Sequence, residues 1–134
     1  MKDKLFLVVF AALIFASCEV NSGSTVVGSG NDTQISGVTF TVDTLYVDAS
    51  GSGQLVARGL AKASSNISSP WYVEGQFYTD STLTVKLGGN DTQIGVPLSP
   101  GQSTFWTIYF STTSVDVRQF PNFRIGDLRA IYKN

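Results

Sequence analysis

The chain has 134 residues, with nine Lys and Arg against ten Asp and Glu and no basic cluster, so nucleic acid finds no electrostatic footprint on it. It has no histidine and a single cysteine, which removes the commonest general base and metal ligand, every Ser-His-Asp or Cys-His arrangement, and any internal disulfide. Charged residues make up only 14% of the chain, well below the usual quarter, and Ser, Thr and Gly fill the surface positions, a balance that suits an exported β-domain.

The N-terminus reads as an export signal. Lys2 and Lys4 make a small positive start, and Leu5 to Ala16 is an uninterrupted apolar run. That run is too short for a bilayer span, which takes roughly 20 residues, and has the length of the apolar region of a signal peptide. It ends in Ile14-Phe15-Ala16-Ser17-Cys18, which resembles the lipobox of bacterial lipoproteins. The resemblance implies cleavage between Ser17 and Cys18 and lipid attachment at Cys18. Phe15 stands where that pattern prefers Leu, and a plain secretory signal cut near Ala16 is the alternative. One acyl chain holds a membrane only marginally, whereas two or more hold firmly, so the multiply acylated Cys of the family would be a stable anchor. Glu19 to Gly30 is rich in Gly, Ser and Thr and reads as a tether. Glu19 is not the Asp that the resemblance links with inner-membrane retention, so the outer membrane is expected if the host has one.

From Ile35 on, the pattern is β throughout. Val38, Phe40 and Val42 alternate with Thr39, Thr41 and Asp43, the period of a half-buried strand. The phase then shifts to Leu45 and Val47, which predicts a bulge near Asp43-Thr44. Ala49 to Gly53 is a turn, and Gln54 to Lys62 a second strand with small residues (Ala57, Gly59, Ala61) on one side. Ser64 to Pro70 is a loop. Trp71 to Thr79 is a third strand, with Trp71, Val73 and Phe77 on one face and Tyr72, Glu74, Gln76 and Tyr78 on the other. Leu83, Val85 and Leu87 mark a fourth strand, Gly88 to Asp91 a turn, and Thr92 to Leu98 a fifth strand that Pro97 confines to an edge. Ser99 to Gln102 is a Pro-Gly turn. Ser103 to Thr112 is a sixth, strongly aromatic strand, and Val115 to Phe120 and Ile125 to Tyr132 complete the set. With no amphipathic helix and seven or eight short strands, the expectation is all-β, a single Ig-like antiparallel β-sandwich. The divisions are a signal peptide at 1–17, lipidated Cys and tether at 18–34, and the sandwich at 35–134.

Three pieces, Val73 to Asp80, Leu98-Ser99-Pro100-Gly101-Gln102-Ser103, and the strand through Trp106, Ile108 and Phe110, together resemble the FxLYD-type immunoglobulin-like domains of bacterial and archaeal envelope proteins. The likeness covers roughly Leu55 to Tyr132, with the name motif reading Phe77-Tyr78-Thr79-Asp80 here. It implies a β-sandwich in the cell envelope and no catalytic residues.

Carboxylate pairs are the chemistry that remains, and Asp43, Asp48, Glu74, Asp80, Asp91, Asp116 and Asp127 are the candidates. Most fall in turns or at strand ends, where Asp serves local hydrogen bonding, so no catalytic residue, metal site or cofactor is expected. Asp43 and Asp48 could offer oxygens to calcium, but their spacing fits no recognised loop. Asn31, Asn66 and Asn90 each open an Asn-x-Ser/Thr triplet, which in a bacterial lipoprotein is expected to carry no modification. Gly-Asn-Asp-Thr-Gln-Ile occurs twice, at 30–35 and 89–94; it is read as a turn leading into a strand, used twice, with a duplicated recognition loop as the alternative. Phe105 and Tyr109 face outward if Trp106, Ile108 and Phe110 face the core. If the third and sixth strands are sheet neighbours, as strands C and F are in an Ig-like sandwich, then Tyr72, Tyr78, Phe105 and Tyr109 form one exposed aromatic stripe, a candidate partner surface.

The expected function is that of a non-catalytic cell-envelope lipoprotein, bound to the membrane through its lipid, with a structural or protein-interaction role. The alternative is a carbohydrate-binding or adhesion module using the aromatic sheet face. The partner is thus an envelope protein or a glycan, and not nucleic acid.

Overall fold

The computed structural model describes residues 32–134. The signal segment, Cys18, most of the tether and the start of the first hexapeptide lie outside the described residues. Seven strands follow in order: β1 (Thr33–Ile35), β2 (Val38–Asp48), β3 (Gln54–Ala63), β4 (Trp71–Tyr78), β5 (Lys86–Ile94), β6 (Ser103–Phe110) and β7 (Arg124–Tyr132). They form two antiparallel sheets, one of four strands in the order β1-β7-β4-β5 and one of three in the order β2-β3-β6. The fold is an Ig-like β-sandwich. Among the described residues no helix is long and apolar enough to cross a membrane.

Period-two alternation builds the core between the sheets. β4 contributes Trp71, Val73 and Phe77, β6 contributes Trp106, Ile108 and Phe110, and β3 contributes Leu55, Ala57 and Ala61. Phe77 stacks on Phe110 at 5.2 Å and on Phe123 at 5.9 Å between ring centroids. The small side of β3 is the core side, and its smallness makes room. A Cβ on Gly59 would lie 2.8 Å from the Trp106 ring and 1.8 Å from the Thr41 carbonyl oxygen. The expected bulge stands between Val42 and Thr44, and it leaves Asp43 without a partner residue on β3. Gly37, at φ 78°, lets the chain leave the four-stranded sheet after β1 and enter the three-stranded one as β2.

Three expectations are corrected. First, Gly88 to Asp91 is not a turn: β5 runs straight through it, pairing Gly88, Gly89, Asn90 and Asp91 with Phe77, Gln76, Gly75 and Glu74. The two short strands read on either side are one strand, and the reversal happens earlier, at 79–85. There Asp80 accepts from the Thr82 amide at 2.9 Å and Leu83 takes φ 53°, so Leu83 and Val85 end in a loop, both exposed. The glycines serve close approach instead, because a Cβ on Gly88 would meet the Phe110 ring at 2.8 Å. After Ile94 the chain leaves the sheet, and Leu98 returns as a single bridge to Ile67. Second, Val115 to Phe120 is not a strand but carries a 3-10 turn at Val117–Gln119. Asp116 caps it, accepting from the Arg118 amide at 3.0 Å, which satisfies the backbone locally and removes the need for a sheet partner. Third, the third and sixth strands are not neighbours. β4 pairs with β5 and β7, and β6 pairs with β3, in opposite sheets; the strand playing the part of F is β7.

Candidate binding face

The four aromatic residues expected to form one stripe are therefore split between opposite faces of the molecule. Tyr72 and Tyr78 lie on the outer side of the four-stranded sheet, and both are built into it. The Tyr78 ring covers Gly126, where a Cβ would come within 3.2 Å of it. Its hydroxyl donates to Asp127 Oδ2, on the residue that occupies φ 52° in the bulge of β7. Burial, followed by that carboxylate, pushes the phenol up to about 12. The Tyr72 ring is half-buried beneath Lys133, whose Nζ stands 4.5 Å from the ring centroid and 2.7 Å from Asp91 Oδ2.

Phe105 and Tyr109 are the ones left open, at 78% and 43% exposure. On the outer side of the three-stranded sheet, register puts Tyr46, Val56 and Tyr109 in one cross-strand row, Thr44, Arg58 and Thr107 in the next, and Thr41, Leu60 and Phe105 in a third. The Arg58 guanidinium lies over the Tyr46 ring, 5.4 Å from its centroid, and donates to the Tyr46 hydroxyl at 3.1 Å. Arginine on an aromatic face is a stacking geometry that also fixes the guanidinium plane. At the bulge, this face sinks into a pocket of about 310 Å³ lined by Asp43, Thr44, Arg58, Phe105, Trp106 and Thr107, with Gly59 between them. Sequence reasoning found Phe105 and Tyr109 and missed Tyr46, Arg58 and Leu60. The phase shift after Asp43 already turned Tyr46 outward while Leu45 and Val47 turned in; no local signal could say that β3 lies between Tyr46 and Tyr109.

The outer side of the four-stranded sheet is polar, and Arg129 with Glu74 and Lys133 with Asp91 form ion pairs on it. Arg129 Nε reaches Glu74 Oε1 at 3.0 Å, yet burial of Glu74 outweighs that pairing and raises its pKa. Glu74 Oε2 and Gln76 Nε2 are buried with no partner among the described residues. The two copies of the hexapeptide occupy the two edges of this sheet. Gln34 pairs with Ile131, Ile131 with Tyr72 and Tyr72 with Gln93, so both glutamines stand in one row at opposite edges. Ile35 packs against the core and Ile94 is part of it. The first copy's Thr33-Gln34-Ile35 makes up β1, as expected, but in the second copy Thr92-Gln93-Ile94 ends a strand and Asn90 is not in a turn. The Asn90 amide donates to the Tyr109 carbonyl at 2.7 Å, tying β5 to the free edge of β6.

The remaining carboxylates hold their own loops. Asp48, Asp80 and Asp116 each accept the backbone N–H two residues on, and hydrogen bonds from the Ser50, Thr82 and Arg118 side chains lead in lowering their pKa values. Asp43 and Asp48 sit at separate places on β2, and among the described residues no group of three or more ligand-type side chains comes together. A wider cleft of about 670 Å³ opens where Ser52, Ser111, Thr112 and Thr113 meet Asp116 and Arg118. Its only charges neutralise each other at 2.8 Å, and no aromatic ring lines it. No family model, no curated protein and no solved structure matches the chain.

Proposed function

We propose that the protein is a cell-envelope lipoprotein, anchored through Cys18, whose Ig-like sandwich is a non-catalytic binding module. The docking face is the outer side of the β2-β3-β6 sheet. The observation that carries this is the 78% exposure of Phe105 on a regular sheet face, next to Leu60 and one polar row away from Tyr46 and Tyr109, since a large apolar ring displayed in this way marks an interaction site. The anchor rests on the order Lys2, Lys4, apolar run and Ala16-Ser17-Cys18. The FxLYD-type likeness supports the same placement in the envelope.

A protein partner and a glycan are the two occupants of interest. The pocket beside the Phe105 ring, apolar in most of its wall with Asp43, Thr44, Arg58 and Thr107 around it, favours the glycan, because a protein docking on a flat sheet has no need of a separate apolar pocket with a few placed donors and acceptors. The test is capture from native envelopes by the wild type and by a Phe105→Ser/Tyr109→Ser variant, with circular dichroism to establish folding. The variant should lose the glycan or protein that the wild type retains. An unchanged capture profile overturns the assignment of this face.

A further inference from the structure

We propose that the pocket at the β2 bulge is a saccharide subsite that seats one pyranose ring on Phe105, an inference that rests on the reading of this sheet as the docking face. A pyranose has an apolar C–H face and a rim of hydroxyls, each able to donate and accept. The pocket offers the complement of both. Phe105 is 78% exposed, and an open ring face on a rigid strand is a platform whose burial by ligand is favourable. Around it stand an acceptor-only group, Asp43, a donor-only group, Arg58, and two hydroxyls, Thr44 and Thr107. Thr44, Arg58 and Thr107 share one row and Phe105 the next, so ring and polar rim lie side by side, as a sugar lying on its face requires.

Charge narrows the ligand. Asp43 and Arg58 cancel, so a bare anion or a bare cation meets one repulsive partner, while a neutral polyol meets none. Arg58 is held in place, its Nη2 engaged by the Tyr46 hydroxyl, which leaves its other N–H groups to donate. Asp43 is placed by the bulge itself, as the extra residue between Val42 and Thr44. The volume of about 310 Å³ lies at the lower end of ligand pockets, roughly 300–1,000 Å³, which suits one ring of a longer glycan. Any further rings would run along the face toward Tyr109.

The Trp106 ring is buried in the core behind the pocket, so binding is read directly as heat. The full chain, purified in detergent, would be titrated with glucose, galactose, mannose and N-acetylglucosamine and their disaccharides by isothermal titration calorimetry. At least one sugar should bind saturably. Phe105→Ala and Asp43→Ala should each weaken that binding about tenfold or more, with Tyr109→Ala much milder on a monosaccharide. No binding by any of these sugars, or binding unchanged in both Phe105→Ala and Asp43→Ala, overturns the inference. If sugar binding fails but the Phe105→Ser/Tyr109→Ser variant still loses a captured protein, the docking face stands and only the saccharide falls. If both fail, the docking face falls with it.

Discussion

Glu74 pairs with Arg129 at 3.0 Å and is still held above the usual carboxylate range. Burial in the middle of a sheet costs the charged form more than one guanidinium returns, and the second carboxylate oxygen has no donor. A group whose folded pKa is raised supports the fold below its unfolded pKa and loses that support as pH rises through the folded value. The contribution of Glu74 therefore fades as pH rises from the ordinary glutamate value of 4.5 through the raised value it has in the fold. Asp48, Asp80 and Asp116, whose pKa values are lowered, behave oppositely: their support is present above 3.8 and lost as pH falls through their folded values. In urea unfolding across this range, Glu74→Gln should remove part of the decline in stability above about pH 4.5, because a neutral amide keeps an acceptor for Arg129 without the buried charge. A variant that declines as steeply as the wild type would contradict that account. This residue was legible only as outward-facing; that the outer side of this sheet is buried enough to shift it could not be read from alternation.

At the scale of elements, β6 sets two phenylalanines of opposite role five residues apart. Phe110 stacks on Phe77 and closes over Gly88, while Phe105 points into solvent. Truncation of Phe110 to Ala should cost about 3–5 kcal/mol, and truncation of Phe105 should stay within about 0.5 kcal/mol, as measured by thermal or urea unfolding. Equal losses would mean that Phe105 is packed and not displayed. β3 gives a sharper case. At Gly59 any Cβ runs into the Thr41 backbone, which cannot swing aside as a side chain could. Gly59→Ala should thus destabilise at or beyond the roughly 3 kcal/mol upper end of ordinary overpacking, despite alanine's modest size; a loss below about 1 kcal/mol would show that β2 yields there. The pattern of small residues on β3 was visible in the sequence, and so was the bulge at Asp43-Thr44. Their relation was not, since the bulge brings β2 over Gly59 only once the two strands are paired.

For the whole molecule, the two sheets present outer faces of different chemistry. The four-stranded sheet turns out a charged and amide-rich surface whose groups largely answer one another, and both its edges carry the same Thr-Gln-Ile. The three-stranded sheet turns out tyrosine, phenylalanine, threonine and one fixed arginine. On the proposed anchoring, Cys18 decides where this second face works. Cys18→Ala should move the protein from membrane to soluble fractions while leaving the strand signal in circular dichroism unchanged; membrane retention of the variant would refute the lipid anchor.

The fold class, the faces of most strands and the outward direction of Phe105 and Tyr109 follow from alternation alone, because a strand's side chains change sides at every residue whatever lies beside it. The hairpin turn at Ala49–Gly53 follows too, since its glycines and Asp48 act on their own backbone. Which strands are neighbours does not follow. Gly88-Gly89-Asn90-Asp91 has the composition of a turn and yet runs extended, because β4 offers it a ladder and Phe110 needs the space that Gly88 leaves. Val115 to Phe120 alternates like a strand and yet coils, because Asp116 satisfies the backbone first. The make-up of the proposed docking face belongs to this level: only pairing through β3 sets Tyr46 and Arg58 on one face with Phe105 and Tyr109, and sends Tyr72 and Tyr78 to the far side, since contacts between residues distant in the chain depend on which partner buries the most surface and not on any local pattern.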